Sequence, residues 1–141
     1  MSDQAQKDAP KAAVRQFRAP AVNVETQPFW DAASEGRFLI KRCTACGKAH
    51  WYPRAICPFC FSPETVWEQS PGEGVIYTYS VMHRSPTGPY AIGYVNLDEG
   101  PAVMTNFVDC DLSALKIGQR VKVKFAPTEE GAPPVPVFTP V

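Results

Sequence analysis

Four of the five cysteines stand in two pairs, and their spacing constrains the fold more than any other feature of the sequence. The pairs are Cys43-x-x-Cys46 and Cys57-x-x-Cys60, with ten residues between them. A gap of two residues lets one tight turn aim both sulfurs at a single ion while backbone N–H groups bond to the thiolates. Four soft thiolates are typical of tetrahedral Zn²⁺. We therefore predict a zinc ribbon with one Zn²⁺ per chain, and rubredoxin-like iron is the alternative.

The metal is expected to be structural. Four protein thiolates fill a tetrahedral ion and leave no position for water or substrate. The ion would stabilise a segment too small to hold a core unaided. Gly47 follows the first pair and can take the positive φ that such a turn favours, whereas Phe61 follows the second pair. A redox dithiol fits less well, because there are two pairs and no thioredoxin-like βαβ pattern.

The composition excludes several classes of protein. Fifteen of the 141 residues are proline, which argues against a helical bundle or a coiled coil. No apolar run approaches the roughly 18 residues that a membrane span needs. The first seven residues have no apolar signal core, so we expect a cytoplasmic protein whose cysteines stay reduced.

The charges are balanced overall but not along the chain. Lys+Arg and Asp+Glu are both 14, so the net charge is zero. Nucleic-acid binding without sequence preference relies on phosphate neutralisation, which a neutral chain supplies poorly. Residues 37–60, however, carry five basic residues and no acidic one. A zinc tetrathiolate would leave about +3 there, which suits a ligand with few phosphates. The candidate contacts are Lys41, Arg42, Lys48 and Arg54.

Changes in composition and periodicity divide the chain into four segments. The first is rich in Ala, Gln, Lys and Pro without periodicity, which predicts a mobile arm. The second reads as a short helix, the third contains the cysteines and the fourth is rich in strand-forming residues. The segments are a mobile arm at 1–22, an N-terminal helix at 23–37, the zinc ribbon at 38–63 and a barrel at 64–141.

The helix has recognisable ends and one apolar stripe. Thr26 is the expected N-cap, and Gly36 offers the left-handed conformation that ends a helix. Phe29, Trp30 and Ala33 fall on one face. We expect this face to pack on the body of the same chain, and docking on another protein is the alternative.

The C-terminal segment predicts five short strands, so the fold is mainly β. Residues 74–82 are β-branched and aromatic-rich, and alternate residues from Val75 to Val81 should share one face. Pro136 and Pro140 mark the last strand as an edge. A helical connection at 112–115 follows the third strand. This order indicates a five-stranded OB-fold barrel, with another barrel or sandwich as the alternative.

Aromatic residues are interleaved with the basic residues of the ribbon. Two interpretations remain open. Together they could clasp a nucleotide through stacking and phosphate pairing. Alternatively, the aromatic rings cover the zinc and pack on the barrel. The rings belong to Trp51, Tyr52, Phe59 and Phe61.

No catalytic residues are expected. Cys110 lies between Asp109 and Asp111, whose carboxylates raise the pKa of a thiol. His83 lies in a long loop without a third group to orient its imidazole. His50 is close to the cysteines, but with four thiolates in place it is expected to be a surface residue or a neighbour of the site.

An ordered series of motifs resembles the zinc-ribbon plus OB-fold family, often called acyl-CoA-associated and formerly a domain of unknown function. The resemblance covers about residues 25–141 and departs from the pattern at Phe61, where the family has glycine. The motifs are Phe29-Trp30, Gly36-Arg37-Phe38, Cys43-Thr-Ala-Cys46-Gly47, Tyr52-Pro53-Arg54, Cys57-Pro58-x-Cys60, Gly74-x-Ile76-Tyr77-Thr78-Tyr79 and Leu115-x-Ile117-Gly118.

This resemblance implies an N-terminal helix, a rubredoxin-like zinc ribbon and a C-terminal OB barrel. It also implies a non-catalytic companion of thiolase-like, hydroxymethylglutaryl-CoA-synthase-like or hydratase subunits. The four basic residues above then become candidate contacts for a CoA phosphate or for the partner enzyme. The metal ligands carried over from the family pattern are Cys43, Cys46, Cys57 and Cys60.

Three hypotheses follow. The first is an accessory subunit that assembles with an acyl-CoA enzyme. The second is a single-strand nucleic-acid binder that uses the barrel face, against which the acidic balance of residues 71–141 counts. The third is a free-standing enzyme, which needs a nucleophile or an open metal position that the sequence does not offer.

Overall fold

The structure is a computed structural model that describes residues 16–141. The expected mobile arm falls largely on residues 1–15, which lie outside the described part. Across residues 16–141, no helix is long and apolar enough to cross a membrane. The elements are helix α1 (Gln27–Ser34), strands β1 (Phe38–Cys43), β2 (Ala49–His50), β3 (Thr65–Ser70), β4 (Glu73–Met82), β5 (Tyr90–Leu97) and β6 (Ala102–Phe107), a 3₁₀ turn (Leu112–Ala114), and strands β7 (Arg120–Ala126) and β8 (Val135–Pro140).

Helix α1 packs on its own chain, as predicted. Phe29 and Trp30 are buried against the body of the molecule. Gly36 ends the helix with φ of 77°, and the N–H of Arg37 donates to the carbonyl of Ala32 at 2.9 Å. Thr26 occupies the N-cap position without capping the helix, because its hydroxyl bonds back to Asn23 instead.

The zinc ribbon is built on a three-stranded antiparallel sheet with the order β2-β1-β3. Strand β1 pairs along its full length with β3, from Phe38 opposite Ser70 to Cys43 opposite Thr65. Residues 64–70 were expected to belong to the barrel, without a strand of their own. In the structure, β3 is hydrogen-bonded to the ribbon strand that carries Cys43.

Strands β4 to β8 form a closed barrel with the order β4-β5-β6-β8-β7. The 3₁₀ turn connects β6 and β7, and β6 and β8 are parallel where Phe107 stands opposite Phe138. This is the OB-fold arrangement, so the predicted fold class is confirmed. Strand β8 lies between β7 and β6, so Pro136 and Pro140 do not mark an open edge of the sheet.

A bulge in β4 overturns part of the predicted strand face. The register of β4 against β5 shifts between Ile76 and Thr78. Because a shift by one residue moves side chains to the other face, Ile76 is buried and Tyr77 is exposed, whereas Tyr79 packs against the core. The predicted common face of Val75 to Val81 is therefore wrong at Val75 and Tyr77, which lie on the face opposite Ile76.

One aromatic cluster joins helix, ribbon and barrel. The ring of Phe38 lies 5.8 Å from that of Phe29 in α1 and 6.4 Å from that of Phe138 in β8, between ring centroids. All three side chains are buried. Strand β1, which leads into the first cysteine turn, is thus packed against both the helix and the barrel.

Candidate metal centre

The four paired cysteines meet at one end of the ribbon. Cys43 ends β1, Cys46 lies in the turn that follows, and Cys57 and Cys60 lie in the second turn. Their Sγ atoms all lie within 4.8 Å of one another. Cys43 and Cys57 are buried, and Cys46 and Cys60 are exposed.

The sulfur spacing fits a tetrahedral zinc ion. The Sγ atoms of Cys43 and Cys60 are 3.6 Å apart, and those of Cys46 and Cys57 are 3.7 Å apart. Ligands at about 2.3 Å in a tetrahedron lie about 3.8 Å from one another. The four residues are therefore positioned to bind one metal ion, consistent with structural zinc, and they would supply all of its ligands.

The two turns share the same hydrogen bonds. The N–H of Gly47 donates to the carbonyl of Cys43, and the N–H of Phe61 donates to that of Cys57, each at 2.9 Å. Gly47 has φ of 80°, as predicted. Phe61 adopts the same left-handed conformation with φ of 64°, although it has a side chain.

The electrostatics of the cluster favour a cation at its centre. The N–H of Cys46 lowers the pKa of the Cys43 thiol. Burial raises the pKa of Cys57, but N–H groups of Cys60 and Phe59 outweigh it and bring the value to about 7. The N–H of Ser62 lowers the pKa of Cys60, yet burial and the neighbouring sulfurs raise it to about 12. The surroundings thus stabilise the thiolate form of Cys43 and Cys57 and disfavour that of Cys60. A bound Zn²⁺ would compensate the negative charge of four thiolates.

Two of the predicted basic contacts are engaged within the protein. Lys41 is buried, its Nζ lies 4.4 Å from the ring centroid of Trp67, and burial lowers its pKa. Arg42 binds the carboxylate of Glu68 on β3 and donates to the carbonyl of Gly47. The bond to Glu68 raises the pKa of Arg42.

The other two basic residues remain accessible. Lys48 Nζ lies 5.0 Å from the ring centroid of Phe59. Arg54 is exposed, and neither cation forms an ion pair with a residue in the range 16–141. Lys48 and Arg54 are therefore the predicted contacts that another molecule can reach.

Of the four aromatic residues of the ribbon, two pack on the helix and two are more than half exposed. Trp51 and Tyr52 pack on the helix, where Tyr52 accepts a hydrogen bond from the indole of Trp30 at 3.2 Å. Phe59 and Phe61 are exposed, and neither belongs to the buried core cluster.

A cleft of about 300 Å³ lies between the ribbon and the turn that joins β5 to β6. Arg42, Lys48 and Phe59 line it together with Glu99. The Glu99 Oε2 atom is buried without a hydrogen-bond partner among the described residues. Sequence reasoning missed Glu99, because nothing local distinguishes it from a solvated turn residue.

The remaining candidates lie apart from the cysteines. Burial and the carboxylates of Asp109 and Asp111 raise the pKa of Cys110, in line with the sequence argument. His83 is exposed in the segment between β4 and β5. His50 is buried opposite Lys41, and burial lowers its pKa. It is not part of the sulfur cluster.

These features define a zinc ribbon joined to an OB-fold barrel, and comparison with known families agrees. Residues 30–66 match the rubredoxin-like zinc ribbon domain of ChsH2, and residues 67–126 match the C-terminal OB-fold domain of ChsH2. A DUF35 domain-containing scaffold protein of Methanocaldococcus jannaschii is 35% identical over 109 residues, which cover 72% of this chain and 77% of that protein. The chain belongs to the DUF35 family.

One longer relative and two solved structures are also similar to this chain. A "Probable enoyl-CoA hydratase alpha subunit" of Thermomonospora curvata is 31% identical over 125 residues, and the chain spans 39% of its length. The structure named "Ltp2-ChsH2(DUF35) aldolase" has a chain that is 31% identical, with a TM-score of 0.74 over 86% of this chain and 98% of that one. A DUF35 protein of unknown function from Sulfolobus solfataricus shares the fold at 12% identity, with a TM-score of 0.63 over 85% and 87% of the two chains.

Proposed function

We propose that this protein is a non-catalytic accessory subunit that binds and assembles with an acyl-CoA enzyme of the thiolase-like, synthase-like or hydratase kind. The observation that carries the proposal is the match along nearly the whole DUF35 chain of the Ltp2-ChsH2 aldolase structure. Relatives named as scaffold proteins and as a hydratase subunit agree with it.

The chemistry of the metal centre supports a role without catalysis. We propose that Cys43, Cys46, Cys57 and Cys60 hold one Zn²⁺, which leaves no open coordination position. The raised pKa of Cys110 keeps that thiol protonated near neutral pH, so it is a poor nucleophile. The protein would then act through the surface that it offers to another molecule.

The accessible cations are the proposed contacts with a CoA phosphate or with the partner enzyme. Lys48 and Arg54 carry this role, and Arg42 lines the same cleft as Lys48. Lys41 is not a proposed contact, because its ammonium group is buried over the ring of Trp67.

Purification with a thiolase-like, synthase-like or hydratase subunit, sought first among the products of the neighbouring genes, tests the proposal. We expect the two chains to elute together in size-exclusion chromatography and the turnover of the enzyme to change when this protein is added. If the chains elute separately and turnover is unchanged, the accessory role is contradicted. Turnover of acyl-CoA substrates by this protein alone would contradict the non-catalytic assignment.

A further inference from the structure

The three-stranded sheet of the ribbon has two edges of different length. Its outer strand on one side is β2, which has two residues, and on the other side it is β3, which has six. In the closed barrel, by contrast, each of the strands β4 to β8 has a neighbour on both sides. Among residues 16–141, β3 is therefore the long strand that is paired on one side only.

The hydrogen bonds around β1 show which of its residues bond to which neighbour. The N–H of Cys43 donates to the carbonyl of Lys48 at 2.9 Å, on the side of β2. The N–H of Thr44 donates to the carbonyl of Glu64 at 2.8 Å, on the side of β3. Successive residues of a strand direct their main-chain groups to opposite sides. The even-numbered residues of β1 therefore bond to β3, and the odd-numbered residues bond to β2.

The register carries this alternation over to β3. Arg42 stands opposite Val66 and Ile40 stands opposite Glu68, so Val66 and Glu68 exchange main-chain hydrogen bonds with β1. The N–H and carbonyl groups of Trp67 and Gln69, which alternate with them, point away from β1. Within residues 16–141, these groups form no main-chain hydrogen bond to another segment. They are donors and acceptors that a further strand can use.

The edge of β3 lacks the features that keep exposed strands from pairing. Natural proteins protect an edge with lysine, proline, a β-bulge or a very short strand. Strand β3 reads Thr-Val-Trp-Glu-Gln-Ser, without lysine or proline, and its register against β1 is continuous over all six residues. Its one charged residue, Glu68, is bound by Arg42 of β1. The main chain and the side chains of β3 therefore both permit a further strand beside it.

The side chains of β3 indicate what the added strand would carry. Val66 is 48% exposed on one face of the strand. Trp67 is half-buried on the other face, where its ring lies over Nζ of Lys41. Directly opposed side chains of neighbouring strands lie about 4.5–5.5 Å apart, and pairs of aromatic and β-branched residues stabilise them. Apolar residues beside Val66 and Trp67 would therefore be favoured.

The size of the edge argues against a second copy of this chain as the occupant. Six residues span about 20 Å, and a sheet about 10 Å thick gives a shared edge of roughly 200 Å². Specific complexes bury about 800 Å² on each partner. Pairing of two β3 strands alone therefore falls short of a stable dimer. The added strand has to belong to a protein that is also held by further contacts.

We propose that the open edge of β3 receives an extended segment of the acyl-CoA enzyme subunit, which becomes a fourth strand of the ribbon sheet. The main chain of that segment would bond to Trp67 and Gln69, and its side chains beside Val66 and Trp67 would be apolar. In strand addition, main-chain hydrogen bonds supply affinity and alternate side chains supply specificity. This inference rests on the proposed function and locates one contact within it.

An apolar surface on the barrel offers an alternative docking place. A groove of about 180 Å³ on the outside of the barrel is lined by Ile92, Tyr94 and Met104, with Thr78 and Ser80. None of its lining residues is charged. Its strands already have neighbours on both sides, so it offers no free main-chain groups to define an occupant. The test includes it as a competing outcome.

Amide hydrogen exchange, followed residue by residue with NMR, tests the edge directly. In the isolated zinc-loaded protein, the amides of Trp67 and Gln69 should exchange at least about tenfold faster than those of Val66 and Glu68, which bond to β1. A candidate acyl-CoA enzyme subunit that binds the protein should slow Trp67 and Gln69 about tenfold or more and leave the other two nearly unchanged. A contact made through side chains alone would not produce this alternation.

Gln69→Pro removes one outward N–H group and keeps the bonds between β3 and β1. Proline is tolerated on an edge strand where its nitrogen faces away from the sheet. We expect one zinc per chain, a thermal midpoint close to that of the wild type, and a Kd for the partner subunit that rises about tenfold or more. Gln69→Ala is the matched control, because it removes the same side chain but keeps the N–H group, and it should bind like the wild type.

Val66→Pro checks the assigned alternation. It removes an N–H group that bonds to β1, so it should lower the thermal midpoint, which Gln69→Pro should not do. If Gln69→Pro also fails to fold, the exchange rates of Trp67 and Gln69 in the wild-type complex decide the proposal.

Each result decides between the claims. If the wild-type chains associate but Trp67 and Gln69 exchange as fast as before, the docking edge is contradicted while the accessory role stands. Slow exchange of both amides in the isolated protein also contradicts it: a doubled mass in light scattering assigns the edge to a second copy, and a monomeric mass assigns it to residues 1–15. Loss of binding in Met104→Ser but not in Gln69→Pro assigns docking to the barrel groove. If no candidate subunit associates with the wild-type chain, the proposed function fails, and the docking edge fails with it.

Discussion

At the scale of single residues, the four paired cysteines matter most, because their thiolates are the ligands of the metal ion. Two sulfur–sulfur distances near 3.7 Å match the ligand spacing of a tetrahedral zinc ion. The ribbon around them has few large buried side chains beyond those of β1. Its stability is therefore expected to depend on the metal.

Cys60→Ser tests this dependence. A structural zinc contributes about 10–16 kcal/mol of binding free energy in small zinc domains, so loss of one ligand should remove the ion and unfold the ribbon. We expect less than one zinc per chain by elemental analysis and a lower thermal midpoint by circular dichroism. Cys110→Ser should keep one zinc. A Cys60→Ser protein with full zinc and an unchanged midpoint would contradict the assignment.

Cys110 provides a second residue-scale prediction, which concerns pH. Burial, together with Asp109 and Asp111, raises the pKa of its thiol, and only the thiolate is alkylated. In the zinc-loaded protein, iodoacetamide should modify Cys110 more slowly at pH 7.5 than it modifies free cysteine. The rate should keep rising at pH values where free cysteine has already reached its plateau. An alkylation rate equal to that of free cysteine at pH 7.5 would show that burial and the two carboxylates do not raise the pKa of Cys110.

At the scale of elements, the barrel depends on a close approach between β4 and β5. A Cβ atom at Gly93 would lie 2.1 Å from the carbonyl oxygen of Thr78 and 2.7 Å from the Cα of Tyr79. Because both atoms belong to the backbone, no side-chain rotation relieves the clash. The two strands would have to separate at this point.

Gly93→Ala should therefore destabilise the protein by more than about 3 kcal/mol in urea unfolding. Gly36→Ala is the matched control. Gly36 also has a positive φ, but a Cβ there meets nothing within 4 Å, so only the backbone cost of about 1–2 kcal/mol applies. Equal effects of the two substitutions would contradict the close approach.

The elements that could be predicted are those with local signals. The cysteine spacing predicted the two turns of the ribbon, and the apolar stripe with Phe29 and Trp30 predicted the buried face of α1. Strand β3 was missed because its partner β1 lies more than twenty residues earlier, and pairing at that separation leaves no local mark. The bulge at Tyr77 could not be predicted, because no glycine or proline lies at that position in the sequence. Lys41 was counted as a surface charge because its burial depends on Trp67 across the sheet.

At the scale of the whole molecule, the net charge of zero argues against binding to nucleic acid without sequence preference. Binding to single strands depends on releasing counterions from neutralised phosphates and on aromatic stacking in a basic groove. The apolar groove on the barrel has no charged lining residue. We expect no shift of single-stranded DNA or RNA in gels at low salt with micromolar protein. Binding that weakens steeply with added salt would favour the nucleic-acid hypothesis instead.

The helix, the ribbon and the barrel share one buried aromatic cluster through Phe38. The ribbon strand β1 is therefore packed on the helix and on the barrel through one shared core. This arrangement suits a subunit whose task is to hold a fixed surface against another protein.

The most direct test of the central claim is size-exclusion chromatography with light scattering of the zinc-loaded protein mixed with a candidate acyl-CoA enzyme subunit from the same organism. The proposed role predicts one peak whose mass is the sum of both chains in whole-number stoichiometry, and a change in the enzyme's kcat or KM in the same mixture. Two separate peaks at concentrations well above those in the activity assay, together with unchanged kinetics, would contradict it.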